Sequence, residues 1–493
     1  FILLTARRRR RLTYSTNRTN IILADIKMKG KKKSSKKNKP KSAAPQTKER
    51  ASASGTCLPN PSSSLDNIEA NNDSVQNNDT APPTQQAVVA PDPARLEELQ
   101  KQIDAMKKIT SSLSLSRSHN ERARQGKLFN ELANKVEEYE LLLEANRVES
   151  VVCNHQKHHT FAKEECPICL EETQITDIDS MSHFLCCGGA TCIKCAQLKR
   201  LKNCPLCRED FPTEIEARQY KVKLAERGVP WAQHEIALGY FNGRENSRID
   251  EKLAIKWFEK AAKNRYPLAL KGLGLFYYMG EGGLSKSFTK AFPLLKDAAD
   301  LGDAHCQELV GSMYFSGQGV TEDNSKGLEY FTLAYSQGQK KMSEFMLGQM
   351  FYDRVRVRGS ADGLKSFLIA KHYLEGPVGR NDGNNEACYY LGMTLMKLAH
   401  EQYQGRNIPG YSTVPRTFFL MRKAAEEGNN NATEMVTDME EHYRAICATC
   451  GKNAKSLPEL LKRCNRCRGV WYCGKECQKL HWRLGHKIDC VES

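Results

Sequence analysis

Eight of the chain's 19 cysteines fall between Cys166 and Cys207, and seven more fall between Cys447 and Cys490. Thiols gathered in this way either pair as disulfides or hold a metal. A disulfide framework belongs to small secreted chains. Here the opening FILLTARRRRR puts its arginines after a short apolar run, the reverse of a secretory signal. Paired CxxC units in a chain of 493 residues point instead to zinc, which takes four ligands at tetrahedral corners. One CxxC turn supplies two adjacent corners. Cys166/Cys169, Cys192/Cys195 and Cys204/Cys207 are such pairs, and Cys186/Cys187 is a tighter fourth. Eight ligands make two closed sites. A segment this short has too little core to fold alone, so metal binding is expected to supply much of its folding free energy.

The order of these pairs resembles a RING finger, with CPIC (166–169) and CPLCR (204–208) as its ends. The resemblance implies that Cys166, Cys169, Cys192 and Cys195 hold one zinc, and Cys186, Cys187, Cys204 and Cys207 the other. The family's usual histidine position is Gly189 here, so an eight-cysteine variant is expected; His183 is the alternative to Cys186. His155, His158 and His159 read as a solvated polar stretch. RING fingers commonly act as ubiquitin ligases without a covalent catalytic residue. By resemblance, Ile168, Leu198 and Pro205 form the groove for a ubiquitin-conjugating enzyme, and Arg208 bridges that enzyme and its ubiquitin. Arginine suits bridging because its donors form a rigid fork, and holding the charged ubiquitin in a reactive geometry speeds transfer by orientation.

The second cluster has the spacing C-x2-C-x13-C-x2-C-x5-C-x3-C-x8-H-x3-C. It resembles a MYND finger down to YCGKECQ and HWRLGHKIDC. The resemblance assigns Cys447, Cys450, Cys473 and Cys477 to one zinc, and Cys464, Cys467, His486 and Cys490 to a second. His481 lies off the ligand spacing and reads as structural. MYND fingers bind proteins, often proline-containing peptides. Trp471, Tyr472 and Trp482 are either contact surface or the core of a small fold. Lys462, Arg463, Arg466 and Arg468 read as solvated charges, since no groove-reading spacing accompanies them.

Between the clusters, residues 217–445 carry a repeat. Gly239, Gly274, Gly311, Gly348 and Gly392 recur at spacings of 35, 37, 37 and 44, each inside a segment such as GLGLFYYMGEG (272–282). Second helices such as KAFPLLKDAADLG (290–302) alternate with them. A period of this kind marks a solenoid of helix pairs that share a continuous core. Glycine lets two backbones approach. The pattern resembles the Sel-one-like repeat, a relative of the tetratricopeptide repeat, over about five repeats. Extra residues at 354–363 and 401–415 are expected in loops. Cys306 and Cys388 read as small packing residues. Before the first cluster, Leu96, Leu99, Ile103 and Met106, then Leu128, Leu132, Val136, Tyr139 and Leu143, fall at helical steps. This predicts a short coiled coil or a helical hairpin, open to self-association or to packing on the next domain.

The net charge of +16 is concentrated in a tail: residues 1–50 hold 17 Lys and Arg against two acids. Such a tail can attract phosphates, anionic lipids or a nuclear import receptor, or stay a solvated end. The first Met is Met28, so residues 1–27 are expected to be an upstream extension or a transit-peptide-like segment. No apolar run can span a bilayer. The expected fold is mainly α: a disordered basic and low-complexity tail (1–94), a helical segment (95–150), a RING-type finger (151–215), an α/α solenoid of Sel-one-like repeats (217–445) and a MYND finger (446–493). The expected protein is intracellular, cytoplasmic or nuclear, and carries four zinc ions. Its expected function is a ubiquitin ligase that recruits a conjugating enzyme through the RING and substrates through the solenoid and MYND finger. A non-catalytic zinc scaffold, or a nuclear adaptor, is the other reading.

Overall fold

The computed structural model describes residues 93–113, 119–176, 181–197, 203–243, 248–358, 363–380, 385–403, 414–450, 453, 461–487 and 490. The basic tail, the linker before residue 93 and Leu198 lie outside them. Two helices come first, α1 (Pro93–Ser111) and α2 (His119–His158), and they pack against each other. The apolar steps read from the sequence face inward: Leu99, Ile103 and Met106 of α1 are buried. Helix α2 runs beyond residue 150 to His158, so one helix carries the chain into the cysteine-rich module.

That module is built from two short antiparallel ribbons, β1 (Lys163–Glu165) with β2 (Glu172–Gln174) and β3 (Met181–His183) with β4 (Ala190–Cys192), plus the single-turn helix α3 (Ile193–Gln197). Helix α4 (Glu214–Glu226) leads out of it, started by a capping box between Thr213 and Glu216.

Five helix pairs follow: α5 (Pro230–Asn242) with α6 (Glu251–Lys263), α7 (Pro267–Met279) with α8 (Phe288–Asp300), α9 (Ala304–Ser316) with α10 (Asn324–Ser336), α11 (Lys341–Arg358) with α12 (Gly363–Gly379), and α13 (Asn385–Tyr403) with α14 (Val414–Glu426). Helix α15 (Asn430–Tyr443) packs on the last pair. Local chemistry sets the boundaries. Pro230 and Pro267 occupy first turns, where a missing N–H costs nothing. Gly280 ends α7 in the left-handed region at φ 77°, where a side chain would be strained. Asp250, Ser287 and Asp323 cap the second helices of the first three pairs through their side chains.

The repeat glycines mark the closest approaches between paired helices. A Cβ on Gly274 would stand 2.8 Å from Leu295, one on Gly311 3.2 Å from Phe331, and one on Gly348 2.5 Å from Leu374. The core they enclose runs without a break from Leu270 to Met439. Among the described residues, the extra ones at 354–358 and 401–403 continue helices instead of lying in loops as expected. They lengthen the first helices, so that α11 has 18 residues and α13 has 19, against 13 in the earlier pairs. Residues 359–362 and 404–413 lie outside the described residues.

Helix α2 lies across the solenoid and contacts α10 and α12. The buried Glu144 accepts from Tyr373 (2.8 Å) and pairs with Arg147 (2.6 Å), which also reaches Thr332 (3.1 Å). Lys371 and Lys365 pair with Glu137 and Glu140. Val136, Val151 and Val152 of α2 also pack against apolar residues of the repeats, so this helix is covered by the chain's own solenoid.

At the other end, β5 (Lys462–Arg463) pairs with β6 (Trp471–Tyr472), and α16 (Lys475–His481) continues into one wide turn through His486. Among the described residues, no helix is long and apolar enough to cross a membrane.

Candidate metal centres

Each cysteine cluster resolves into two groups of four. The ligand atoms of Cys166, Cys169, Cys192 and Cys195 lie within 4.8 Å of one another, as do those of Cys186, Cys187, Cys204 and Cys207. So do those of Cys447, Cys450, Cys473 and Cys477, and of Cys464, Cys467, His486 and Cys490. The spacing tests whether zinc fits. Tetrahedral zinc with bonds of about 2.3 Å has sulfur–sulfur edges of about 3.8 Å, whereas a disulfide is about 2.05 Å long. The sulfurs of Cys169 and Cys192 are 3.7 Å apart, those of Cys187 and Cys204 3.8 Å, those of Cys450 and Cys473 3.7 Å and those of Cys464 and Cys490 3.9 Å. His486 brings Nε2 to 3.5 Å from Cys464 and 3.7 Å from Cys467. These edges match a metal tetrahedron.

Local backbone makes the ligand turns. In three CxxC loops the residue after the second cysteine takes a left-handed conformation: Leu170 (φ 61°), Arg208 (φ 64°) and Arg468 (φ 45°). Its N–H donates to the carbonyl of the first cysteine, 2.8 Å at Cys166, 2.9 Å at Cys204 and 3.1 Å at Cys464. Backbone N–H groups also face the sulfurs. Burial alone would raise the Cys166 thiol, but donors at Cys169, Cys192 and Ile168 outweigh it and bring it down to about 6. Burial likewise opposes, and the Cys207 and Leu206 backbone overcomes it, at Cys204, which falls to about 7. One cysteine of each set thus ionises readily while burial pushes Cys186, Cys187 and Cys195 the other way, and zinc would take all of them as thiolates.

His183 stays out of both groups. Its ring stacks on Trp231 at 4.6 Å, and burial pushes its pKa down to about 4. Trp231 also donates to the carbonyl of Gly188 (2.8 Å), so the module is seated on the first helix pair. A cleft of about 260 Å³ remains at this junction, lined by His183, Trp231, His234, Glu235 and Tyr266. His155 and His159 differ from the solvated stretch expected. They face the solenoid, stacked at 4.6 Å, while His158 is exposed.

On the module's surface Ile168 is 46% exposed, Arg208 is exposed and Pro205 is half-buried. Exposed Leu170 and Leu206, which the sequence reading passed over, flank them in the two CPxC loops. Their signal was available as apolar residues inside turns that have no core to face.

In the C-terminal finger the aromatic residues divide. Trp471 and Tyr472 are buried, and Trp471 joins the solenoid core at 6.0 Å from Phe418. Trp482 is 40% exposed. His481 is buried, hydrogen-bonds Tyr472 (2.9 Å) and stacks on His486, a structural role. Arg463 is no free charge: it pairs with Glu440 (2.8 Å) and lies over Trp471. Arg422 pairs with the same carboxylate and donates to the Arg468 carbonyl. Cys306 and Cys388 are buried packing residues of the repeats.

Comparison with known proteins gives names to these parts. The model of the MYND finger matches residues 447–490, and that of the Sel1 repeat matches 232–266, 267–303, 304–339 and 385–429. An F-box protein of Arabidopsis thaliana is 26% identical over 236 residues, 47% of this chain and 53% of that one. An ERAD-associated E3 ubiquitin-protein ligase component of the same plant is 34% identical over 116 residues, 24% of this chain and 18% of that one. The chain therefore spans about half the length of the first relative and less of the second. A solved Sel1 repeat protein from Oxalobacter formigenes is similar at 22% identity, with a TM-score of 0.35, over 46% of this chain and 86% of that one.

Proposed function

We propose that this chain, which carries Sel1 repeats and a MYND finger, is a ubiquitin ligase of the RING type. Its coarser character is that of a protein-interaction adaptor with zinc-binding fingers. The finer reading rests chiefly on one observation: in the eight-cysteine module the ligand pairs group first with third and second with fourth. That crossed arrangement interlocks two zinc sites into one rigid platform. The exposed Ile168 and Leu206 offer a conjugating enzyme apolar contact, with Pro205 beside them. Arg208 follows the last ligand and is exposed, so its guanidinium can donate to both enzyme and ubiquitin. Leu198 would complete the groove. Catalysis would consist of holding the charged ubiquitin in a reactive geometry. The relative that is a component of a ubiquitin ligase supports the same setting.

In this reading the module holds two zinc ions and the MYND finger two more. The solenoid and the MYND finger select substrates, Trp482 being the finger's exposed aromatic contact for proline-containing peptides. The protein works inside the cell, in cytoplasm or nucleus.

The test is discharge of ubiquitin from a panel of charged conjugating enzymes by the full chain. Ile168→Ala and Arg208→Asn are compared with it, asparagine being chosen because it tolerates the left-handed backbone at 208. Zinc content is measured in each. Wild type is expected to accelerate discharge at least tenfold over the folded, zinc-loaded variants. A zinc-loaded chain that accelerates discharge from none of the enzymes replaces this reading with a non-catalytic scaffold.

A further inference from the structure

Outside the cysteine clusters, the described residues contain one more gathering of metal-ligating side chains: His155, His159 and Asp300, whose ligand atoms lie within 4.8 Å of one another. We propose that these three residues bind a divalent transition metal ion of the zinc class, at the point where helix α2 hands the chain to the cysteine-rich module.

The two histidines stand one turn apart, and the helical bond from the His159 N–H to the His155 carbonyl (2.8 Å) keeps them in register. One helical turn aligns such side chains on a single face. Asp300 closes α8 and is buried, with one carboxylate oxygen 3.7 Å from Nδ1 of His159. Two independent observations favour a cation over simple packing. Nε2 of His155 is buried and has no hydrogen-bond partner. That nitrogen is therefore open to a cation. Second, Tyr330 donates to the other oxygen of Asp300 (2.7 Å), which fixes the carboxylate with its remaining oxygen toward His159.

Lys296 now holds that oxygen at 2.5 Å. Its side chain is 33% exposed and can swing into water when an ion takes its place. Phe161, 5.7 Å from the His155 ring, walls one side, and the 38% exposure of His159 opens the other to a water as fourth ligand. Two imidazoles and a carboxylate suit zinc, copper or nickel rather than calcium or magnesium. The ion would tie α2 to α8 beside an existing seam. There Ala162 donates to the Leu301 carbonyl (2.8 Å), and Phe161 crowds Gly302. The outgoing module would then be held at a fixed angle to the solenoid.

The experiment is equilibrium dialysis of the full chain against micromolar free zinc, followed by metal analysis. His155→Ala and His159→Ala are expected to retain one equivalent less than wild type. The exposed neighbour variant His158→Ala retains the wild-type amount. Equal zinc in all four proteins overturns the proposal. A second measurement needs no variant: zinc is expected to protect His155 and His159, but not His158, from diethyl pyrocarbonate in the wild-type chain, read by mass spectrometry. Equal modification of all three with and without zinc also overturns it.

Discussion

At Gly348 a single hydrogen atom decides how closely two helices meet. A methyl group there would stand 2.5 Å from Leu374 and 3.3 Å from the Ala370 carbonyl, and neither backbone can retreat without opening the core. Gly348→Ala is therefore expected to destabilise the solenoid by about 1–3 kcal/mol, the range for overpacking a filled core. Gly379, at the end of α12, has nothing within 4 Å of its would-be Cβ. Gly379→Ala is expected to be neutral or to stabilise by about 0.4–1 kcal/mol through the unfolded chain. Denaturant melts of the two variants beside wild type check the pair. The sequence showed the glycine at this position through its recurrence, and showed that small size matters there. It did not show that Leu374 is the residue pressed against it, because partner identity depends on how one pair stacks.

Helix α2 shows what an element adds to its residues. Its periodicity was legible, but a stripe of apolar side chains announces only that some surface must cover it. A second copy of the hairpin would have served equally. Buried polar chemistry selects the solenoid: Glu144 accepts from Arg147 and Tyr373, Arg147 in turn donates to Thr332, and a carboxylate that has lost its water needs such partners. Glu144→Ala should cost about 2 kcal/mol. That is less than the ~3–5 kcal/mol of a fully buried pair, since Arg147 keeps 27% of its side chain in solvent. Limited proteolysis should then cut α2 sooner while the repeats stay resistant. Equal cutting of wild type and variant would remove the case for this cluster as the anchor.

Over the whole molecule, the C-terminal finger closes the solenoid. A helical repeat array ends in an apolar face that must be covered. Here Trp471 enters the same core as the repeats, and the Arg422–Glu440–Arg463 cluster fixes the finger's orientation. Metal in the finger thus supports more than the finger. Chelation of the full chain is expected to redden the fluorescence of Trp471 and lower the melting temperature of the repeats, with Phe418→Ala weakening the coupling between the two. Chelation that unfolds the finger and leaves the repeats' melting unchanged would separate the two units.

What the sequence by itself determined is local. Two residues between cysteines, or a glycine every 35 to 44 positions, are fixed by the chain's covalent spacing and by the geometry of a turn or a helix pair. Those distances survive whatever else the chain does. The grouping of sixteen ligands into four sets and the alternation of helices were therefore open to reading, with family resemblance supplying the crossed order. Only the tertiary structure decided which surfaces meet. It laid the hairpin on α10 and α12, turned Trp471 inward and Trp482 outward, and stacked His183 on Trp231. It also brought Asp300, far along the chain, beside His155 and His159. No spacing rule reaches across such a separation, because the contact exists only once the intervening helices have stacked.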